Sequence, residues 1–219
     1  MPLILNVPYK EKDTAKTIGA KWNPELKKWI APHKDSYPDF HEWILKKEWF
    51  DYIICDVFYI IEGHRQCFKC GENTKVIGFG IENYYWLDFD EDEDNEEECA
   101  IYHYYTGEIN VASYIDPLPE KVLKYIQSKY NYKMRYSKTI KNSYLANCCD
   151  HCDALQGDYF LFNEMDSPFC ITDKETAEKL ALYRIKLSYD LPVRAQHSWG
   201  SGDPLIKEYG SVKELDFNL

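Results

Sequence analysis

The sequence predicts an α+β fold, in which a small N-terminal αβ module precedes a larger domain of mainly antiparallel strands. Three observations carry that expectation. Residues 1–50 contain two strand-like runs and two short segments with helical spacing. Beyond them, runs rich in β-branched and aromatic residues recur between turn signals. Two cysteine pairs, Cys67-Phe-Lys-Cys70 and Cys149-Asp-His-Cys152, bracket most of those runs. Four thiolates in two such pairs form the donor set of a closed tetrahedral site. The spacing therefore predicts structural Zn2+ on Cys67, Cys70, Cys149 and Cys152, with no position left for water. A compact ribbon separates its pairs by roughly 15–20 residues. Here residues 71–148 intervene, so the expected zinc-ribbon domain carries a long insertion. The expected units are 1–50, 51–170 and a C-terminal helix and tail over 171–219.

In order along the chain, Leu3–Val7 reads as a strand ended by Pro8, and Glu11–Ala20 as a short helix with Gly19 at its close. Asn23-Pro24 starts a turn, and Lys28–Ala31 is a second strand. Phe40, Trp43, Ile44 and Trp49 fall at helical spacing. Asp51–Ile61 reads as one or two strands entering the first cysteine knuckle. Thr74–Gly80 with Tyr84–Phe89, and Ala100–Tyr105 with Glu108–Ala112, read as hairpins. Pro119 opens a helix over Glu120–Tyr130. Lys133–Tyr136 and Ser143–Ala146 are extended, Gly157–Phe162 is a strand, and a helix runs from Asp173 to about Lys186. The glycines and Pro204 after His197 point to an irregular tail. Gly71 and Asp153, each directly after a cysteine pair, suit the positive-φ corner that closes such a turn.

Three neighbours complicate the ligand set. Cys148, His151 and His64 lie close in sequence, but only Cys149 keeps the two-residue spacing to Cys152. Cys55, Cys99 and Cys170 are left over as buried thiols. Eight cysteines in a chain whose start lacks a basic leader fit a reducing cytoplasm, and no run is long enough to span a membrane.

Two resemblances follow from quoted runs. Leu5-Asn-Val-Pro8, Gly19-Ala-Lys-Trp-Asn-Pro24 and Lys28-Trp-Ile-Ala-Pro32 resemble the signature of the domain of unknown function 5710, with Asn23 where Asp is usual. That family commonly accompanies primase- and topoisomerase-like proteins of phages and plasmids, so the resemblance implies a nucleic-acid setting. Tyr136-Ser-Lys-Thr139, Tyr144-Leu-Ala-Asn147, Cys149-x-x-Cys152 and Gln156-Gly-Asp158 resemble an uncharacterised bacterial zinc-ribbon family over roughly residues 64–165. Leu145 and Asp153 depart from its pattern, and the resemblance implies the same four cysteine ligands.

The net charge of −11 is unevenly distributed. Nine carboxylates crowd residues 88–98, among them Asp88, Asp90, Asp92, Asp94 and Glu96. They alternate like calcium ligands, but the glycine and terminal glutamate of such a loop are missing. Residues 121–141 carry seven cations and no carboxylate. Lys124, Lys129, Lys133, Arg135 and Lys138 would contact phosphates there, with Tyr132 and Tyr136 as stacking partners. No nucleophile elbow, zinc-protease helix or phosphate loop is present. The expectation is a non-catalytic zinc-binding module of a phage, plasmid or bacterial defence-related system, acting on nucleic acid or a nucleoprotein. The alternative is an adaptor or inhibitor of anti-restriction or anti-CRISPR type, whose acidic loop blocks a basic surface on a host protein.

Overall fold

The computed structural model describes residues 1–44, 50–89, 100–197 and 202–216. The N-terminal module begins with β1 (Leu3–Leu5), a 3-10 turn and α1 (Lys12–Thr17). Gly19, at φ +108°, ends α1 one turn earlier than the sequence suggests, and Ala20 N donates to Ala15 O at 2.9 Å. Next come β2 (Lys21–Asn23) and β3 (Lys28–Ala31), which complete an antiparallel sheet of order β1-β3-β2. The turn between them is built by Asn23, whose Oδ1 accepts from the backbone N–H of Glu25 and of Leu26 at 3.0 Å. Asparagine thus supplies the side-chain acceptor that an Asx turn needs. Two 3-10 turns lead into α2 (His41–Ile44). Trp49 lies outside the described residues.

The module shares a core with the rest of the chain. Leu3, Leu5, Tyr37, Phe40 and Ile44 pack with Ile53, Cys55, Tyr85 and Leu87. A polar clamp sits beside that core. Asp190, 2% exposed, accepts from the Tyr37 hydroxyl at 2.7 Å and from Asp56 N at 3.1 Å, and Lys34 pairs with Asp56 at 2.6 Å.

The larger domain is built on one long hairpin. β4 (Tyr52–Ile54) and β5 (Val57–Gln66) form its first arm, and β6 (Asn73–Ile81) and β7 (Tyr84–Phe89) its second. Ile54 opposes Tyr84 and Gln66 opposes Asn73, so the arms pair over almost their whole length. The first cysteine knuckle is the tip of this hairpin. β8 (Ala100–Tyr105) and β9 (Asn110–Asp116) lie along the far side of the second arm, β8 on β7 and β9 on β6. Both hairpins expected between residues 74 and 112 are therefore corrected. In each, the two runs are successive pieces of one bent arm. The bends align at Asp56 (φ +62°), Glu82-Asn83 and Thr106–Ile109, where the sheet folds over its core.

After β9 come α3 (Glu120–Lys129) and the hairpin of β10 (Tyr132–Ser137) with β11 (Asn142–Asn147). Val122 and Ile126 of α3 cap a core that includes Phe58, Ile60, Phe79, Ile81 and Tyr84. The second knuckle follows β11.

The C-terminal third departs most from expectation. Residues 157–162 were expected as a strand, yet Tyr159–Asn163 winds into a π-helical turn. An apolar run this short has no period to separate strand from turn. The tertiary contacts decide it, since Leu161 is buried and Phe162 stacks on Phe169 at 4.8 Å. Helix α4 (Lys174–Glu178), capped by Asp173, stops short of Lys186. The chain then forms β12 (Ala181–Lys186), which lies antiparallel on β5 and buries Leu182 and Ile185. β13 (Leu191–His197) pairs first with β4 and then with β9, joining the two halves of the sheet. The tail is ordered into α5 (Asp203–Tyr209) and β14 (Ser211–Leu215), the latter parallel to β12. The main sheet has the order β14-β12-β5-β6-β9-β13-β4-β7-β8. The α+β class holds, and antiparallel pairing dominates.

Gly78 on β6 provides the flat ground on which the π turn sits. A Cβ there would lie 2.9 Å from Cε1 of Phe162. Gly78→Ala is expected to destabilise the protein by about 1–3 kcal/mol through overpacking. A urea denaturation curve checks this, and an unchanged midpoint would refute it.

Candidate functional site

The two knuckles share one backbone pattern. In the first, Gly71 N donates to Cys67 O at 2.9 Å and Cys67 N donates to Glu72 O at 2.9 Å. In the second, Asp153 N donates to Cys149 O at 3.0 Å and Cys149 N to Ala154 O at 2.8 Å. Gly71 (φ +76°) and Asp153 (φ +59°) both take the left-handed corner, as their positions in the sequence suggest. Each turn aims two sulfurs outward from its tip.

The tips face each other. Cys67 Sγ lies 3.7 Å from Cys152 Sγ, Cys70 Sγ lies 3.7 Å from Cys149 Sγ, and all four sulfurs fall within 4.8 Å of one another. A tetrahedral site with metal–sulfur bonds of about 2.3 Å has sulfur–sulfur edges of roughly 3.8 Å. A disulfide would bring sulfurs to about 2.05 Å. The arrangement fits a metal ion and excludes paired cystines. Burial disfavours ionisation of Cys67, but the backbone N–H groups of Cys70 and Lys69 outweigh it and lower the thiol to about 6. His151 N donates to Cys149 Sγ at 3.4 Å and Gln156 Nε2 to Cys67 Sγ at 3.5 Å. The Gln156 donor favours thiolate over thiol at Cys67.

The sequence neighbours are placed elsewhere. The His151 ring meets Asn73 O at 3.0 Å, His64 is exposed on β5, and Cys148 is buried with its sulfur towards Ala146 O. Burial pushes the Cys55 and Cys148 thiols up, consistent with inert core groups.

A set of polar bonds braces the knuckles against each other. The Asn147 side chain makes a paired contact with Ile77, accepting from its N–H at 2.8 Å and donating to its C=O at 2.9 Å. Asp150 N donates to Thr74 Oγ1 at 2.9 Å, and Lys75 N donates to Asp150 Oδ2 at 3.2 Å. Sequence reasoning missed these braces because only the fold brings residues this far apart into register.

Asp153 has a second role. Its carboxylate pairs with Lys133 at 2.5 Å and Arg135 at 2.7 Å, and it accepts from Asn131 at 3.0 Å. The contacts to Lys133, Asn131 and Arg135 hold its pKa well below the usual carboxylate range. Asp153→Gly keeps the left-handed corner, whereas Asp153→Ala does not. The alanine variant is expected to be less stable than the glycine variant by roughly 1–2 kcal/mol, as thermal melts of the pair would show. Equal melting temperatures would contradict the backbone argument.

The expected nucleic-acid surface does not assemble as a unit. Successive residues of a strand face opposite sides, so Lys133 and Arg135 turn to the knuckle while Tyr132, Met134 and Tyr136 turn away. Tyr132 is 3% exposed and has no face open for stacking, which corrects its expected role. Lys124 pairs with Glu120 at 2.5 Å on α3. Lys129, Lys138 and Tyr136 are exposed. Of the acidic set, Asp88 is exposed on β7, and Asp90, Asp92, Asp94 and Glu96 lie outside the described residues.

A different surface gathers aromatic rings and cations. A groove of about 520 Å³ in the N-terminal module is lined by Tyr9, Lys12, Trp22, Lys27, Lys28 and Trp29 together with Leu5, Asn6 and Val7. Trp22 and Trp29 are cross-strand partners whose rings meet edge to face at 5.6 Å. Trp22 is 51% exposed and Tyr9 83%, and Lys12 Nζ lies 4.1 Å from the centre of the Tyr9 ring. No carboxylate lines the groove among the described residues. The adjacent Lys-Trp pairs at 21–22 and 28–29 were its signal in the sequence.

No helix among the described residues is long and apolar enough to cross a membrane. No solved structure matches the chain. Over 39 residues the chain is 44% identical to the DNA primase TraC of Escherichia coli, a stretch that covers 18% of this chain and 3% of that protein. Residues 3–44, the module that carries the groove, match the family described as domain of unknown function (DUF5710).

Proposed function

We propose that the protein binds single-stranded nucleic acid through the groove of its N-terminal module, and that a structural Zn2+ on the four cysteines holds the larger domain together. The observation that carries the first part is the groove itself, which offers Trp22, Trp29 and Tyr9 beside Lys12, Lys27 and Lys28. Aromatic faces stack on any base, and lysines beside them neutralise phosphates without reading sequence. Similarity of a 39-residue stretch of this chain to part of a DNA primase supports a nucleic-acid setting. On this reading the nucleic-acid contact lies at residues 5–29 rather than at the residues 121–141 expected from the sequence. For the metal, an all-sulfur tetrahedral donor set suits zinc, leaves no open coordination position and stabilises rather than catalyses.

Fluorescence anisotropy with a labelled oligothymidylate over a salt series tests the binding. Three phosphate contacts predict that log K falls with log salt at a slope of roughly −2. Absence of binding at low salt would overturn the proposal.

A further inference from the structure

A second concavity, of about 980 Å³, lies between β9, the hairpin β10–β11 and the π turn. Its lining is mixed, with aromatic and aliphatic side chains beside polar ones such as Ser143, Asn163 and Gln196, and it includes a carboxylate and a phenol that have no partner among the described residues. Asp158 makes no hydrogen bond or ion pair among the described residues. It stands directly before the π turn but caps none of its N–H groups. Tyr132, almost completely buried, lines the same cavity with a hydroxyl that has no hydrogen-bond partner among the described residues. Arg194, at the rim, is taken up by Asp116 at 2.5 Å. A half-buried carboxylate without a counter-ion is costly. Burial alone raises the Asp158 carboxyl to about 6.

The rim is as unusual as the interior. Phe68 of the first knuckle, Met134 and Ile140 of the β10–β11 hairpin, and Tyr159 of the π turn are between 59% and 71% exposed. Four exposed apolar side chains gathered around one concavity point to an interaction surface rather than ordinary scatter.

We propose that this cavity is a peptide-docking site, in which a lysine or arginine side chain of a protein partner meets Asp158 between aromatic walls while apolar neighbours of that residue cover the rim. Charge complementarity selects the occupant. Asp158 lacks a cation, the chain carries a net charge of −11, and an aromatic face attracts an ammonium or guanidinium group. The Tyr132 hydroxyl accepts a hydrogen bond from the same cation.

The test uses the full zinc-loaded chain against an array of end-blocked random octapeptides. Peptides retained by the wild type are expected to carry lysine or arginine flanked by apolar residues. Their binding should fall at least tenfold for Asp158→Asn and severalfold for Tyr132→Phe, with near-ultraviolet circular dichroism unchanged. Replacing the basic residue of a retained peptide by norleucine should cost a similar factor. Retention of peptides without a cation, equal binding by Asp158→Asn, or no retention at all would each overturn the proposal. Asp158-dependent binding of butylamine without any peptide binding would also overturn it, by identifying a small-amine site instead.

Discussion

Replacing Cys152 by serine is expected to lower the melting temperature by on the order of 10 °C and to abolish metal retention. The four sulfurs belong to two hairpin ends whose approach is otherwise held by a few polar bonds, chiefly those of Asn147, Thr74 and Asp150. Structural zinc contributes roughly 10–16 kcal/mol in peptides that fold only on binding it. A domain with its own core loses a smaller part of that. A loss of about 4 kcal/mol, at roughly 2–4 °C per kcal/mol for a chain of this size, gives the expected shift. Cys70→Ser should behave like Cys152→Ser, although Cys70 is exposed and contributes little packing. Cys55→Ala removes a buried thiol and should cost only about 1 kcal/mol. Scanning calorimetry with zinc analysis compares the three variants. Equal melting temperatures for Cys70→Ser and the wild type would remove the metal from the account.

The second large effect concerns the groove. Trp22→Ala is expected to weaken binding of oligothymidylate by roughly 10- to 100-fold, since base–aromatic stacking is worth about 1–3 kcal/mol per base. Trp22 is half exposed on a surface strand, so its removal leaves the core intact. The double variant Lys27→Gln with Lys28→Gln should instead flatten the salt dependence by about 1.4 units, at roughly 0.7 per phosphate contact. Anisotropy titrations separate the two outcomes. If the lysine variant changed affinity equally at every salt concentration, the phosphate contacts would be wrongly placed.

Much of the chemistry was legible in the sequence because it was local. The spacing of Cys67, Cys70, Cys149 and Cys152 depends only on turn geometry, and so do the left-handed corners at Gly71 and Asp153. Strand β3 and helix α3 were similarly marked by their flanking prolines and periodicity. Strand pairing was not local. Residues 74–89 carry two β-rich runs with a break, and nothing in that run shows that the break is a bend in one arm. The run after Asp173 has helical spacing, but residues 181–186 gain more from a place beside β5 than from prolonging an exposed helix. The lysines and tyrosines of residues 121–141 interleave in sequence, and strand alternation then sends them to opposite sides. Neither Asp158 nor Tyr132 could be recognised as unpartnered before the cavity around them was known.

The central claim, that the N-terminal groove holds single-stranded nucleic acid, is tested most directly by mapping the contact. Backbone and indole amide resonances of the zinc-loaded protein would be followed by heteronuclear NMR during titration with oligothymidylate. Shifts are expected to concentrate at residues 5–12 and 21–29, with the Trp22 and Trp29 indole signals among the largest. Shifts confined to residues 121–141, or no shifts at low salt, would contradict it.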